Sequence, residues 1–190
     1  LDKSGVLTEN FKTVAYSYLG PKVTYGIYKE GTIGAAKRDL ENTSNVLNDF
    51  LKEKYNGEAY VSLSKALMTR ASAVIPIFPL YAALLYKVMK KKGIHEGTIE
   101  QKQRLLKDMM YGGKPEFDSQ RRLRPDNWEM RPDVQSEVEA LWDQITPENF
   151  KELSDYAGAR EEFMQLNGFD FDNVDYDADI DLDELAKLKP

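Results

Sequence analysis

Two side chains nine positions apart carry the first hint of chemistry, the phenol of Tyr28 and the amine of Lys37, in the stretch Tyr28-Lys29-Glu30-Gly31-Thr32-Ile33-Gly34-Ala35-Ala36-Lys37. A phenol titrates near ~10, so near neutral pH it is a weak acid or base unless a cation sits beside it. A lysine so placed favours the phenolate and can also hold ribose hydroxyls, a combination suited to protonating an enolate in a reductase with a nucleotide cofactor. Along one continuous helix a separation of nine subtends ~900°, half a turn out of phase. A shared site therefore requires Tyr28 to lie before the helix, in a segment that Gly31 lets turn, with Lys37 in the first helical turns. Spacing alone leaves the plainer alternative open, in which Tyr28 is a packed aromatic and Lys37 a surface cation.

The elements around this stretch suggest how it is held. Residues 13–19 are aromatic and β-branched and end at Gly20-Pro21, the pattern of a strand followed by a turn, with Tyr16 and Tyr18 on one face. Residues 23–28, interrupted by Gly26, read as a loop or short extended segment. From Ile33 the period becomes helical, with Ile33, Ala36, Leu40, Leu47, Phe50 and Leu51 on one face, Thr32 as the expected N-cap and Gly57 as the stop. Residues 58–64 then read as a strand with Ala59, Val61 and Leu63 on one face. Strand, long helix, strand predicts a βαβ crossover and an α/β fold with a parallel sheet, in which ligands sit at the C-terminal strand ends. Those ends are Tyr18-Leu19-Gly20 and Lys65-Ala66-Leu67-Met68-Thr69.

Residues 71–86 carry no charge and contain Pro76 and Pro79. The run is shorter than the ~20 residues of a membrane span and predicts either a buried helix starting or kinked near Pro79, or an apolar lid or wall for a greasy ligand. Lys87, Lys90, Lys91 and Lys92 suit a solvated helix end, or an anionic carrier or membrane surface. A helix from about Glu96 to Tyr111 would bury Ile99, Leu105, Leu106 and Met109. A polar loop containing Arg121, Arg122 and Arg124 follows to Asn127. Short helices complete the chain: Pro132 in a first turn with Val134, Val138, Leu141, Trp142 and Ile145 behind it, Thr146-Pro147-Glu148 as a helix start, and a last helix ending near Gly168. The tail approaches calcium-loop spacing, but Asp175-Tyr176 stand where the loop needs glycine, so a solvated or loosely docked tail is expected.

Composition narrows the chemistry further. The chain has 190 residues, no cysteine and one histidine, which removes thiolate nucleophiles, thiolate metal sites and a histidine-based triad. His95, just before an expected helix, reads as a capping or packing residue, and no metal constellation is visible. The net charge of −6 is uneven: residues 154–190 hold 11 acidic and 3 basic side chains, a net of −8, leaving +2 for residues 1–153. Nucleic-acid binding is disfavoured for the whole, whereas the first part is suited to an anionic ligand. Without a signal-peptide pattern or a membrane span, a cytoplasmic protein with no stable membrane insertion is expected, and a start at Leu1 suggests a trimmed or truncated chain. No glycine-rich dinucleotide loop occurs, since Gly31-Thr32-Ile33-Gly34 lacks the third glycine and does not follow a strand directly.

The stretches 15–21, 27–41, 60–76 and 94–101, together with 126–135, 145–156 and 166–170, resemble the trans-2-enoyl-CoA reductase family and its enoyl-acyl-carrier-protein reductase relatives, marked by a tyrosine, eight intervening residues and a lysine. The end of the chain is most similar to the clostridial type. The resemblance implies a monomeric enzyme with a Rossmann-like fold related to short-chain dehydrogenases, of which this chain would be the C-terminal half, helix-rich with few parallel strands. Residues 13–70 would hold the strand-helix-strand and the Tyr/Lys motif, 71–111 a substrate-binding helix region, 112–169 a helical C-terminal part and 170–190 an acidic tail. The partners implied are the missing N-terminal half with its nucleotide loop, NAD, and an enoyl-CoA or enoyl-acyl-carrier-protein substrate. By position, Tyr28 resembles the proton donor, Lys37 the cofactor-holding lysine and Tyr18 a substrate contact, while Ala66, Leu67 and Met68 match backbone along the NAD. Arg38 stands where some relatives carry a second lysine. The resemblance weighs residues 71–86 toward the lid reading. A non-catalytic helical interaction module is the alternative from another class.

Overall fold

In a computed structural model describing residues 1–113 and 115–188, the strand-helix-strand expectation holds in outline. Strand β1 (Lys12–Ser17) pairs in parallel with β2 (Glu58–Leu63), in register from Lys12 opposite Glu58 to Ser17 opposite Leu63. A two-residue β3 (Arg122–Leu123) pairs in parallel with the other edge of β2, so the sheet order is β1-β2-β3. β2 is buried along almost its whole length, as a central parallel strand covered on both faces must be. β3 lies inside what reads as a polar loop, because two residues among arginines carry no alternation. Lys114, in that loop, and the last two residues of the acidic tail lie outside the described residues.

The connection between β1 and β2 departs from expectation at both ends of its helix. Residues 22–24 form a 3-10 turn and Tyr25–Tyr28 a single helical turn, α1, where the sequence reads as loop or extended; four residues are too few to display a helical period. Helix α2 runs Thr32–Tyr55, with Gly31 rather than Thr32 as its N-cap. It ends through Asn56 in the left-handed region (φ 49°). Gly57 serves packing instead, since a methyl group there would overlap the Phe11 carbonyl, against which β2 starts.

Only part of the expected apolar face of α2 is buried. Gly34, Ser44, Asn48 and Leu51 are buried, whereas Ile33, Leu47 and Phe50 stay exposed. Polar contacts account for the buried polar residues. Asn48 Oδ1 accepts the Ala59 N–H at 3.2 Å and the Arg121 guanidinium, so a buried amide fastens the helix to the start of β2.

The core lies under helix α3 (Phe78–Lys91), where Tyr81, Ala82, Leu84, Leu85 and Met89 are 0% exposed. Pro79 sits in its first turn, where a missing N–H costs nothing. Residues 78–91 thus form a buried helix, whose Pro79, Leu80 and Ala83 also line a groove as a wall would; in 71–77, by contrast, Val74 and Ile77 are exposed. Helices α5 (Pro132–Trp142) and α7 (Tyr156–Leu166) pack on α3 through Val134, Val138 and Ala159. The helix expected from Glu96 starts later, as α4 (Thr98–Arg104), and passes into a π-helical turn, Leu105–Met110. Leu105 and Met109 are buried as expected, but Ile99 and Leu106 are exposed. Thr146 does not start a helix; its N–H instead binds Asn149, which caps the short α6 (Phe150–Leu153). The exposed acidic tail carries a final short helix, α8 (Leu182–Lys187). None of the described helices is long and apolar enough to cross a membrane.

Candidate functional site

Tyr28 is the last residue of α1 and Lys37 lies in the second turn of α2, with the turn at Lys29-Glu30-Gly31 between them. That break resolves the half-turn phase problem, and the Lys37 Nζ comes 5.1 Å from the centre of the Tyr28 ring. Gly34 makes the approach of the two helices possible. A methyl group there would overlap the Lys29 carbonyl and lie 2.8 Å from Lys29 Cα. Arg38 ties the same turn from outside, its Nη1 donating to the Lys29 carbonyl at 3.1 Å.

Three aromatic rings meet edge to face behind the amine. Tyr18 and Tyr28 have centroids 4.8 Å apart, and Phe78 at the start of α3 stands 5.5 Å from Tyr18 and 6.0 Å from Tyr28. Tyr18 lies one residue past the end of β1, so the strand is shorter than the expected 13–19. Gly20, at φ 67°, turns the chain away beneath the Tyr18 hydroxyl. Lys37 donates to the Tyr18 carbonyl and to Ser17 Oγ at 3.3 Å, which anchors the amine to the end of β1.

The electrostatics differ from the sequence expectation that the lysine would draw out a phenolate. Burial pushes the Tyr28 phenol up to about 12, so it stays a neutral acid near pH 7. Burial also pulls the Lys37 amine down to about 8, against an opposing pull from Glu41. Tyr28 is 5% exposed, and among the described residues its hydroxyl makes no hydrogen bond.

Of the other expected residues, Tyr18 and Leu67 border the same cleft, whereas Ala66 is fully buried and Met68 lies away from it. The segment after β2 is held by buried side chains: the Lys65 N–H donates to Gln101 Oε1 at 3.1 Å, Ala66 N–H to Glu129 Oε2 at 2.7 Å and Met68 N–H to the Tyr86 hydroxyl at 2.9 Å. Ser72 Oγ donates to the Leu67 carbonyl at 2.7 Å. The Leu67 N–H makes no hydrogen bond among the described residues, and an amide left so beside a cleft is a place for a ligand acceptor. Tyr18, Tyr28, Lys37, Lys65, Leu67 and Thr69 all border one open cleft of about 390 Å³ at the C-terminal ends of β1 and β2. Met68 borders a separate groove of about 310 Å³ along α3, with Pro79, Leu80, Phe150 and Phe163 among its walls.

Sequence reasoning missed Glu129 and Lys102, and placed Lys65 at the strand end without giving its side chain a role. Glu129 is 0% exposed and sits in Asn127-Trp128-Glu129-Met130, where a carboxylate flanked by large apolar residues was the available signal. Lys102, on α4, lies 3.8 Å over the Tyr16 ring and donates to Ser64 Oγ at 2.9 Å. His95 is a packing residue, its Nε2 2.8 Å from Glu162 and its ring against Tyr86.

Comparison with known proteins gives consistent matches. A family model described as "Trans-2-enoyl-CoA reductase catalytic region" matches residues 1–111, and one described as "Enoyl reductase FAD binding domain" matches residues 117–180. The trans-2-enoyl-CoA reductase [NADH] of Clostridium acetobutylicum is 56% identical over 179 residues, 94% of this chain and 45% of that protein. The enoyl-[acyl-carrier-protein] reductase [NADH] 2 of Photobacterium profundum is 52% identical over 190 residues, 99% of this chain and 47% of that protein. The crystal structure of the Clostridium acetobutylicum trans-2-enoyl-CoA reductase in complex with NADH superposes with a TM-score of 0.91 at 53% identity, covering 99% of this chain and 48% of that one. The chain spans about half the length of the curated relatives it matches.

Among the described residues, no arginine of the segment 117–180 is left unpaired for a flavin diphosphate. Arg122, Arg124, Arg131 and Arg160 are each paired with carboxylates, and Arg121 is bound to Asn48 and the Ala59 carbonyl.

Proposed function

The chain belongs to the trans-2-enoyl-CoA reductase family, and from that premise we propose that it supplies the catalytic half of an NADH-dependent enzyme that reduces the carbon–carbon double bond of trans-2-enoyl thioesters. The observation that carries the reading is the meeting of a buried, neutral Tyr28 phenol with the Lys37 amine where β1 and β2 end. NADH, when bound, supplies hydride to the β-carbon of the enoyl thioester. Tyr28 stabilises the oxygen on which negative charge then develops and delivers the proton that completes the saturated product. A phenol kept at about 12 is the right partner for that step, because it holds its proton until the enolate forms.

Lys37 and the unpartnered Leu67 N–H are the groups that would hold the nucleotide, with Ala66 and Met68 beside it, and Tyr18 faces the substrate carbonyl region. Residues 13–70 form the Rossmann-like, short-chain-dehydrogenase-related part, 71–111 the substrate region whose apolar groove takes the acyl chain, 112–169 the helical support and 170–190 the acidic tail. The Rossmann-like sheet is completed by the remaining half of a cytoplasmic enzyme, which contributes the glycine-rich nucleotide loop. The exposed Ile33, Leu47 and Phe50 face of α2 is one surface for that half to cover.

The Lys37 assignment has a pH signature. Its charge is present below about 8 and lost as pH rises through that value. The affinity of the full-length enzyme for NADH is therefore expected to fall by about 10-fold between pH 7 and 9.5, and Lys37→Arg, whose guanidinium stays charged, to flatten that fall. NADH fluorescence titrations at the two pH values check this; an affinity independent of pH would remove Lys37 from the nucleotide site. The Photobacterium profundum likeness favours a second reading with carrier-protein thioesters as substrate. Rates on one acyl chain carried by CoA and by carrier protein separate the two, and the CoA thioester is expected to be the faster.

A further inference from the structure

Glu129 lies at the bottom of the site and touches three of its parts. Its Oε1 meets the Tyr18 hydroxyl at 3.1 Å and the Tyr81 hydroxyl at 2.7 Å, and its Oε2 accepts the Ala66 N–H at 2.7 Å. Tyr81 in turn accepts from Gln135 Nε2 at 3.1 Å, and the same amide donates to the Glu129 carbonyl at 2.7 Å. The carboxylate thus joins the residue after β1, the segment after β2 and the core helix α3.

An ionised carboxylate only accepts hydrogen bonds. Two phenols converging on one of its oxygens must both point their hydrogens at it, so the Tyr18 hydroxyl turns lone pairs, and not its hydrogen, toward the cleft. Of the two phenols whose rings meet, Tyr28, whose hydroxyl has no partner among the described residues, is then the one with a proton to give. We propose that Glu129 is a positioning residue of this site: it locks the Tyr18 phenol to the Ala66 backbone and holds it as an acceptor, so that proton delivery falls to Tyr28 alone. The inference rests on the reading of Tyr28 as the acid.

The carboxylate form on which this orientation depends is the predominant one above neutral pH. Burial pushes its carboxyl up to about 7, with Asp126 pushing the same way and Tyr81, the Ala66 amide and Lys65 opposing. The Lys65 amine, buried over the Tyr86 ring at 4.3 Å, is pulled down by the same burial. Asp126 is itself bound by Arg124 at 2.7 Å.

The test uses the full-length enzyme and five variants. A glutamine cannot accept from both phenols and from the Ala66 N–H, so Glu129→Gln is expected to lower kcat by about 10- to 100-fold, with KM for the enoyl thioester changed less than about 3-fold. Tyr18→Phe is expected to lose a similar factor, and the double variant no more than the worse single one, since both break the same contact. Tyr81→Phe removes the other phenol from the same oxygen; it is expected to lower the melting temperature comparably while keeping kcat within about 3-fold, which a merely structural role would not allow. Unchanged kcat in Glu129→Gln, additive losses in the double variant, or an equal kcat loss in Tyr81→Phe each overturn the proposal. If Glu129→Gln does not fold, the Tyr18→Phe and Tyr81→Phe pair decides it alone: a slow first and a normal second support it, and equal rates overturn it. Tyr28→Phe, run alongside, separates the two levels, because full activity there removes the underlying reading whatever Glu129 does.

Discussion

Replacing Tyr28 by phenylalanine in the full-length enzyme is expected to lower kcat by about 100-fold or more, the range that a positioned general acid contributes. The same variant should leave stability almost untouched. Its ring keeps the edge-to-face contacts with Tyr18 and Phe78, and the hydroxyl it loses has no hydrogen-bond partner among the described residues. KM for the thioester and for NADH should move by no more than a few-fold, since an interaction made only as charge develops affects kcat and kcat/KM together. Steady-state NADH oxidation and a thermal melt are sufficient. A variant that loses both activity and several degrees of melting temperature would point to packing, and one that keeps full activity would remove Tyr28 from the chemistry.

Gly34→Ala should be nearly as damaging, for a reason that lies wholly in the backbone. The Tyr28–Lys37 approach depends on α2 passing directly against the Lys29 main chain, and an added methyl would overlap the Lys29 carbonyl and lie 2.8 Å from its Cα. No side-chain rotation relieves a clash with backbone, so the turn at 29–31 must move and carry Tyr28 with it. We expect a stability loss of about 3 kcal/mol, typical of overpacking a tight site, and a fall in kcat of about 10-fold or more from misplacement of the acid. The neighbouring Ala35→Gly provides the contrast. Ala35 is exposed, so that change should cost about 1 kcal/mol of helix propensity and leave kcat alone. Urea midpoints and kcat for the two variants check the difference; a Gly34→Ala enzyme as stable and as fast as its parent would show that the turn gives way without consequence.

Gly34 also illustrates what can be read from the chain by itself. The geometric obstacle between Tyr28 and Lys37 and the need for a break near Gly31 follow from a spacing of nine and a period of ~3.6, whereas spacing alone left their pairing open and the resemblance favoured it. The parallel pairing of β1 with β2 follows from a long helix between two strand-like runs, and the resemblance supplied the identities of the expected residues around the cleft. What does not follow is anything set by packing between distant segments. Ile33, Leu47 and Phe50 of the apolar pattern of α2 stay exposed while the buried side is fastened by Asn48 to Ala59 and Arg121, bonds to partners 11 and 73 residues away. The helical turn at Tyr25–Tyr28 is too short to announce itself, and β3 exists only because β2 offers it an edge. Glu129 stayed hidden for the same reason: an isolated carboxylate reads as surface until Tyr18, Tyr81 and Ala66, between 48 and 111 residues distant, close around it.

The central claim is that this chain carries the acid and the nucleotide-holding amine of an enoyl thioester reductase whose remaining half binds the rest of the dinucleotide. Its most direct test is the rate of NADH oxidation with crotonyl-CoA, measured for this chain alone and for the full-length enzyme that contains it. The full-length enzyme is expected to turn over on the order of 10 s⁻¹, as a typical enzyme does, and the chain alone to show nothing above background. A full-length enzyme that leaves NADH unoxidised in the presence of crotonyl-CoA, or a lone chain that turns it over equally fast, would contradict the claim.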